Sequence, residues 1–429
     1  MIKPLIRRAL LVLSGGGVLL AAAVVPVQAD GGSAQVPAAH PQSANAVAAR
    51  AAVARTRAAA AAREQRAAGT GWRVLLRLPA DQQSTLLGSI TEVSPADAWS
   101  TGAAVPHKGR FHPLVERWNG TAWHPVTLPA AVAGKWQRVF PFSAIGASSG
   151  SDFWAFSEVR GGWLHWDGVR WSTGLLPDNT PYPLVISSTE VFSSTDVWVF
   201  GGHLTNTQNG TTLGGSYVAH FNGRRWTIVP GPAGLSAISA VSAVSRTSIW
   251  AVRGLLPLVS SEKAAAGIAL VHWNGRRWRS VPLPAAFGPG ASLTSIMTLS
   301  DNDVWVGGGI PNADDGLTAT AAHWNGTAWS VTSPPAYLSA VKLQLVSLVP
   351  DGHGGIWGLG VNEGLTTSRL WHLRADGWTR PVVLRPCRRA CTLVDLAQVP
   401  HTTSVWAAGA VLHGPSGVAV IALVGRVPQ

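Results

Sequence analysis

The stretch Trp273-Asn274-Gly275-Arg276-Arg277-Trp278 decides the fold, because close copies of it recur along the chain. Asn-Gly and Asp-Gly tolerate the positive φ of a tight turn, and between apolar segments they are a strong signal of a β-hairpin. A loop of two or of four residues is compatible with the spacing. Either loop keeps the two flanking aromatic rings on one face of the hairpin, where we expect them to pack. The other copies begin at Trp118, Trp166, Phe221, Trp324 and, in a degenerate form, Leu373.

A second tryptophan precedes each hairpin, and its copies are 44 to 55 residues apart. A period near 50 with β-forming residues indicates a β-propeller, in which each repeat is one four-stranded blade. In the fourth repeat the pattern predicts strands over about 237–244, 248–253, 268–273 and 277–282. The tryptophans of this set are Trp99, Trp154, Trp198, Trp250, Trp305, Trp357 and Trp406.

The two ends of the repeat region predict how the ring closes. The last repeat has a third strand at 418–424 but no outer strand after it. Residues 71–79 carry the same outer-strand pattern as residues 278–284. We therefore predict an all-β protein in which residues 72–429 form a seven-bladed β-propeller with four-stranded blades. An N-terminal strand completes the last blade, which removes the exposed sheet edges.

Residues 1–71 are predicted to lie outside the propeller. Basic residues precede an apolar run over 9–25, and Val27-Gln28-Ala29 suits a cleavage site, so residues 1–29 are predicted to be a signal peptide. The run is short and interrupted by glycines, which favours cleavage over a membrane span. The Arg7-Arg8 pair leaves general and twin-arginine export open. Residues 30–71, rich in alanine and arginine, are predicted to be a partly helical linker or stalk.

The net charge does not indicate a nucleic-acid partner. The chain has 33 Lys and Arg against 21 Asp and Glu, a formal charge of +12. Without residues 1–71 the counts are 25 and 19. An excess this mild is no electrostatic footprint for nucleic acid. We expect a secreted protein, extracellular or associated with the cell wall, with no membrane span in the mature chain.

Two sets of repeated polar residues have a predicted structural role. Histidines just before the first aromatic residue of a hairpin occupy the same place in successive blades, too far apart to share a metal ion, so we expect no metal site. Aspartates just before the Trp strand are predicted to cap the tight turn by binding backbone N–H groups. The histidines are His165, His220, His272, His323 and His372, and the aspartates are Asp97, Asp152, Asp196 and Asp303.

Cys387 and Cys391 are the only cysteines. Two thiolates cannot complete a closed zinc site, and no second pair exists. In an exported protein we predict a local disulfide that fastens a surface loop. A redox role is the alternative.

The repeat resembles that of kelch-type propellers. The segment 197–202, Val-Trp-Val-Phe-Gly-Gly, is followed by the hairpin 221–226 in the kelch order of aromatic strand, glycine pair, aromatic turn and Trp strand. The glycine pair recurs at 307–309, and Trp stands where kelch repeats have Tyr. The chain is also similar to the Trp-rich repeats of secreted proteins from high-GC Gram-positive bacteria. The resemblance implies the fold and adds little about activity, because propellers host many functions.

Blade geometry predicts which face carries the function. The turn after the inner strand and the Asn-Gly turn lie on one face, and the two longer connections lie on the opposite face, called here the long-loop face. Binding residues concentrate in variable loops on a rigid scaffold. Trp136 and Tyr182 are least explained by the repeat, so we predict stacking on a sugar or peptide, with packing inside their own loops as the alternative. The other candidate ligand-binding residues are His107, His112, Arg138, Asp178, Asp314 and Asp315.

These features predict a non-catalytic binding or scaffold propeller, monomeric and without cofactor. Its expected partner is a cell-wall polysaccharide or an extracellular protein, and we assign no catalytic residues. The alternative is an extracellular glycan hydrolase or lyase built on the propeller. A glycosidase needs two close carboxylates, for which Asp178, Asp314 and Asp315 are conceivable. The Asp boxes of sialidases do not occur, and with only three tyrosines a copper site like that of galactose oxidase is poorly supported.

Overall fold

Seven four-stranded antiparallel sheets make up the part of the chain that the computed structural model describes. The predicted signal peptide and stalk fall outside this part. The described residues are 73–78, 83–106, 112–130, 132, 142–157, 161–207, 210–234, 236–254, 268–313, 316–334, 343–362, 367–374, 377–379, 381, 391–413 and 416–424.

Six blades are continuous in sequence, and the seventh is not. Blade 1 contains β2 (Gln83–Ser94), β3 (Asp97–Pro106), β4 (His112–Trp118) and β5 (Trp123–Pro125). Blade 2 contains β6 (Phe142–Ser149), β7 (Asp152–Ser157), β8 (Gly162–Trp166) and β9 (Trp171–Leu175). Blade 3 contains β10 (Leu184–Ser193), β11 (Asp196–Thr207), β12 (Gly210–Phe221) and β13 (Trp226–Ile228). Blade 4 contains β14 (Ala237–Ser245), β15 (Ser248–Gly254), β16 (Ala269–Trp273) and β17 (Trp278–Val281). Blade 5 contains β18 (Ser292–Ser300), β19 (Asp303–Pro311), β20 (Leu317–Trp324) and β21 (Trp329–Thr332). Blade 6 contains β22 (Leu343–Pro350), β23 (Ile356–Asn362), β24 (Ser368–Arg374) and β25 (Gly377–Trp378). Blade 7 contains β26 (Cys391–Gln398), β27 (Val405–His413), β28 (Ser416–Val424) and, from the other end of the chain, β1 (Arg73–Arg77).

The ring closes as the sequence predicts. β1 pairs antiparallel with β28, from Arg73 opposite Leu423 to Arg77 opposite Val420. The first strand of each blade contacts the first strands of both neighbours, so these seven strands surround the axis. The fold prediction, a seven-bladed propeller closed by an N-terminal strand, is confirmed.

Five of the hairpins use the four-residue loop, and the degenerate copy in blade 6, where Arg374 lies opposite Gly377, uses the two-residue one. Trp273 lies directly opposite Trp278, and their rings are 5.7 Å apart at an angle of 50°. Gly275 has a φ of 82°, and the Asn274 side-chain oxygen accepts hydrogen bonds from the backbone N–H groups of Arg276 and Arg277 at 3.2 and 3.1 Å. The Asn therefore binds the turn while the Gly supplies its positive φ.

The hydrophobic core lies between neighbouring sheets. Among the described residues seven apolar clusters form, one at each contact between two blades. At the closing contact, Trp118 and Trp123 of blade 1 pack edge-on against Trp406 of blade 7, at 5.1 and 5.2 Å. The tryptophan periodicity thus sets how the blades stack, and aromatic pairs of this kind add to the energy of burial.

Candidate functional site

The connection between blades 2 and 3, residues 176–183, brings two predicted site residues, Asp178 and Tyr182, onto the long-loop face. His112 begins β4 opposite Ala104 at the same end of blade 1, and its side chain is exposed. Five other predicted site residues lie outside the described residues, as does Cys387 of the predicted disulfide. These five are His107, Trp136, Arg138, Asp314 and Asp315.

The connection is fastened to blade 3. The Asp178 carboxylate accepts the Thr180 backbone N–H and hydroxyl, both at 3.0 Å, and lies 3.1 Å from His203 Nε2 at the outer part of β11. The Tyr217 hydroxyl of β12 donates to the Pro177 carbonyl oxygen at 2.6 Å. Burial, with a smaller contribution from the Asp178 charge, raises the pKa of Tyr217 above its ordinary value, so the phenol stays a donor.

Asp178 is therefore occupied in holding its own loop. His203 exposes only 8 % of its surface, and its ring meets the Tyr217 ring edge-on at 5.6 Å. Sequence reasoning assigned no role to His203 or Tyr217. Blade geometry could have indicated them, because the 176–183 connection and the C-terminal half of β11 lie on the same face. This places His203 and Tyr217 within reach of the 176–183 connection.

Tyr182 remains available on this loop. It exposes 47 % of its surface, and Leu175, at the end of β9, exposes 73 %. Large exposed apolar groups beside a fixed loop suit the stacking role predicted for Tyr182. Within the described part of the chain, no hydrogen bond or ring contact joins His112 to Asp178 or Tyr182.

The repeated histidines bind within their own blades. The His165 ring stacks on Trp154 at 3.8 Å, and its Nε2 lies 2.9 Å from Asp152 Oδ1. Because a carboxylate only accepts, Nε2 carries the proton. The same oxygen accepts the Trp154 indole N–H at 2.9 Å. Blades 3 and 5 repeat the acid–histidine pair with Asp196–His220 at 2.8 Å and Asp303–His323 at 2.9 Å. Among the described residues no three metal-binding side chains cluster.

The prediction that the aspartates cap the tight turn by binding backbone N–H groups is wrong. Their carboxylates bind side chains of the neighbouring strands, and a hydroxyl three residues earlier holds the turn instead. The Ser149 hydroxyl accepts the Ser151 backbone N–H at 3.3 Å, and Ser193 and Thr195 repeat the bond at 3.2 Å.

Blades 1, 4 and 6 vary this pair, and in blade 7 Leu423 lies opposite Trp406 in place of a histidine. In blade 1, Arg117 replaces the histidine: it binds Asp97 through Nε and Nη2 at 2.9 and 2.7 Å and lies 4.5 Å above the Trp99 ring. In blade 4, Ser248 replaces the aspartate and hydrogen-bonds both His272 and Asp301 of the next blade. Burial lowers the pKa of His272, opposed by the Asp301 charge.

In blade 6 the acid that binds the histidine is Asp351, which lies earlier in the turn than the aspartates of blades 2, 3 and 5. Asp351 Oδ2 lies 2.7 Å from His372 Nε2. Burial raises the pKa of Asp351, but the hydrogen bonds from His372 and from two backbone N–H groups outweigh it and leave the pKa below its usual range.

Three buried glutamates were not predicted as candidates. Glu92, Glu116 and Glu190 each expose 2 % of their surface. Burial raises the pKa of Glu92 and Glu190 well above the ordinary value and that of Glu116 to about 7. These groups lie inside the stacked sheets, where a polysaccharide cannot reach them, so they do not form an accessible glycosidase pair.

Two comparisons of sequence find nothing: no model of a known family matches the chain, and neither does any curated protein. Within the described part, no helix has the length and apolar character needed to cross a membrane.

Solved structures give a likeness of fold. A structure described as YCF48 bound to D1 peptide matches with a TM-score of 0.54 and 13 % identity, over 83 % of this chain and 96 % of that one. YCF48 from Cyanidioschyzon merolae matches with a TM-score of 0.50 and 12 % identity, over 83 % and 99 %. The extracellular domain of the putative hybrid two component system BT4673 from B. thetaiotaomicron matches with 0.50 and 12 %, over 82 % of this chain and 39 % of that one. At such identities the likeness concerns the propeller fold alone.

Proposed function

We propose that this chain is a secreted, non-catalytic binding propeller that recognises a cell-wall polysaccharide or an extracellular protein through its long-loop face. The observation that carries this is Tyr182, a large aromatic ring left exposed on a connection that the neighbouring blade holds in place.

A fixed loop makes an exposed ring a better binding group. Two contacts from blade 3, His203 to Asp178 and Tyr217 to Pro177, restrict the loop before any ligand arrives. Binding then costs less conformational entropy, because the loop is already ordered. An aromatic ring with two rotatable bonds offers a large contact area to the face of a sugar or to a peptide side chain.

The described acids favour binding over hydrolysis. Asp178 is engaged by Thr180 and His203, and the three buried glutamates have no route to a polymer. A hydrolase would need two accessible carboxylates at a fixed separation. Asp314 and Asp315, outside the described residues, are the remaining acids predicted on this face.

Co-sedimentation tests the wall-binding form. The full chain is mixed with purified peptidoglycan, teichoic-acid-bearing wall and insoluble polysaccharides, alongside Tyr182→Ala. The matched control is Val169→Ala, which removes a more exposed side chain, 85 % against 47 %, from the hairpin turn of blade 2, on the opposite face. Saturable binding that only Tyr182→Ala weakens is the expected result.

The other outcomes separate the remaining functions. If no wall fraction binds the chain, the polysaccharide partner is rejected, and chemical cross-linking in culture supernatant through residue 182 tests the protein partner. Release of soluble sugar from any fraction would instead favour the hydrolase or lyase. Sequencing the exported protein tests secretion, with Asp30 expected as its first residue, and intact-mass analysis before and after reduction tests the Cys387–Cys391 disulfide.

A further inference from the structure

Arg253, at the end of the second strand of blade 4, breaks the repeat at a crowded position. It lies opposite Ile238, at the last pair before the irregularity that every inner strand contains. A Cβ at the corresponding Gly201 or Gly308 would lie 1.9 or 2.0 Å from a carbonyl oxygen of the inner strand. Most blades therefore have no room for a side chain here, whereas blade 4 accommodates the longest cation. The corresponding residues of the other blades are Gly102, Ser157, Gly201, Gly308, Gly360 and Gly409.

Among the described residues this buried cation has no counter-charge. Arg253 exposes 9 % of its surface, and its buried Nε–H group has no acceptor in the part of the chain that the structure describes. Among the described residues it makes no ion pair. Burial lowers its pKa. An unpaired buried charge is unfavourable, and native proteins normally pair such groups.

The guanidinium lies on the long-loop face, between blades 3 and 4. Ile249 and Ala251 of β15 pack with residues of blade 3, and alternation along the strand turns Arg253 the same way. Its Nη2 lies beside Gly234 in the connection from β13 to β14, where an added Cβ would approach it to 2.5 Å. This connection is equivalent to the one that carries Asp178 and Tyr182, so both lie at the same end of the blades.

We propose that Arg253 is a ligand-binding residue that donates hydrogen bonds to a carboxylate group of the partner, at the long-loop end of the contact between blades 3 and 4. This deepens the proposed function and rests on it, because it names the chemistry that the long-loop face would recognise. A planar carboxylate matches the two parallel N–H donors of a guanidinium. One carboxylate also neutralises one Arg, whereas a dianion would bring excess charge to the contact between the blades and a neutral hydroxyl would leave the cation uncompensated.

Nitrogen-15 NMR of the full chain tests this at the residue itself. The buried Nε–H group of Arg253 gives a side-chain cross peak, assigned by its loss in Arg253→Met. Titration with N-acetylglycine and with glucuronate represents a peptide carboxylate and a sugar carboxylate, and N-acetylglycinamide and glucose are the neutral controls. We expect a saturable shift of this peak with at least one carboxylate and with neither control, and the responding compound identifies the source. Arg246→Met, at a turn on the opposite face of the same blade, should keep the shift.

No shift with either carboxylate, or an equal shift with the neutral compounds, would overturn the assignment. Thermal unfolding gives a second readout: Arg253→Met should keep or raise Tm, because it replaces an unpaired buried charge with an apolar side chain. Glu262, in the adjacent 255–267 stretch outside the described residues, is the control for an internal partner. If Glu262→Gln and Arg253→Met lower Tm equally and non-additively, the carboxylate belongs to the chain itself and the assignment fails.

Arg253→Met, tested beside Tyr182→Ala, separates this inference from the proposed function. Wall or protein binding that depends on Tyr182 but not on Arg253 would leave the binding function standing and reject the carboxylate site. A carboxylate-dependent shift at Arg253, with no binding to any wall fraction or protein, would keep the carboxylate site and reject the proposed binding function.

Discussion

Two acid–histidine pairs in this molecule have nearly the same geometry but different structural roles. In the first pair, Asp152 Oδ1 lies 2.9 Å from His165 Nε2, near the face opposite the long-loop face. In the second pair, Asp178 Oδ1 lies 3.1 Å from His203 Nε2, near the long-loop face. The first pair is tied to a tryptophan, since Asp152 accepts the Trp154 indole N–H and His165 stacks on its ring. In the second, the acid binds the backbone of its own loop at Thr180.

The difference shows in the repeat. The first pair recurs, with substitutions, in blades 1 to 6, where it joins the third strand of each blade to the second strand or, in blade 6, to the turn before it. No other blade has the second pair among the described residues. In a repeat protein every blade shares the requirements of the scaffold, so a polar group that only one blade carries needs a local reason.

Asp152→Ala should give the largest effect, because the repeated pair belongs to the scaffold. Asp152 exposes 3 % of its surface, and its loss leaves a buried indole N–H and an imidazole without their acceptor. We expect the free energy of unfolding to fall by about 3 to 4 kcal/mol, measured by urea denaturation. The control is Asp167→Ala in the exposed hairpin of the same blade, with a much smaller expected loss. Equal losses would mean that the repeated pair is no more structural than a surface turn.

Glu116→Gln tests a unique residue inside the scaffold. The corresponding positions of blades 2 to 6 are apolar: Leu164, Ala219, Val271, Ala322 and Trp371. Burial raises the pKa of Glu116 to about 7, so the folded chain holds a proton that the unfolded chain releases near pH 4.5. Stability from this group is therefore present below pH 4.5 and falls as pH rises to about 7.

The substitution should remove that pH dependence. The shift corresponds to at most about 3 kcal/mol, and partial screening by water reduces the expected gain for Glu116→Gln at pH 8 to about 2 kcal/mol, with little change at pH 4. Urea denaturation across this range measures it. Asp167→Asn is the control and should leave the slope between pH 5 and 8 unchanged, because hydrogen bonds donated by the backbone N–H groups of Arg170 and Val169 lower the pKa of Asp167. An unchanged slope in Glu116→Gln would show that Glu116 is ionised at neutral pH.

Sequence predicted the parts of this fold that repeat. The Asn-Gly hairpins, the tryptophan period and the outer-strand pattern of residues 71–79 are local signals, and each was sufficient for an element of the ring. The partner of Asp152 was missed because it depends on register: Trp154 lies opposite His165, which brings an acid on one strand beside a histidine 13 residues later. Capping is local and was therefore the simpler interpretation, but the preceding serine performs it.

The unique contacts were harder to predict because they join different connections. Asp178 and His203 are 25 residues apart, in a loop and a strand that only the propeller geometry brings to one face. Arg253 and Glu116 are single departures from a pattern, and a sequence does not show which departures are buried. Two variants of the loop test whether this kind of departure marks function.

Asp178→Ala should separate loop position from fold. The side chain is partly exposed, so we expect the free energy of unfolding to fall by only about 1 kcal/mol. Hydrogen exchange of the 176–183 connection should accelerate, because the bonds to Thr180 and His203 are lost. Exchange in β7, which carries Trp154, should not change and serves as the internal control. If the loop keeps its protection, Tyr217 alone holds it, and Asp178 becomes free to be a ligand group.

Tyr182→Ala should have the smallest effect on stability and the most specific effect on binding. Its ring is 47 % exposed, so we expect the free energy of unfolding to change by about 0.5 kcal/mol or less. Binding to the wall or protein partner should weaken about tenfold or more if the ring stacks on the ligand, as aromatic groups often dominate an interface. Titration of the partner with Tyr182→Ala and Tyr182→Phe measures it, and Phe should retain most of the affinity because it keeps the ring. A loss of stability near that of Asp152→Ala would place Tyr182 with the scaffold, and the contrast between the repeated and the unique pair would no longer locate a binding face.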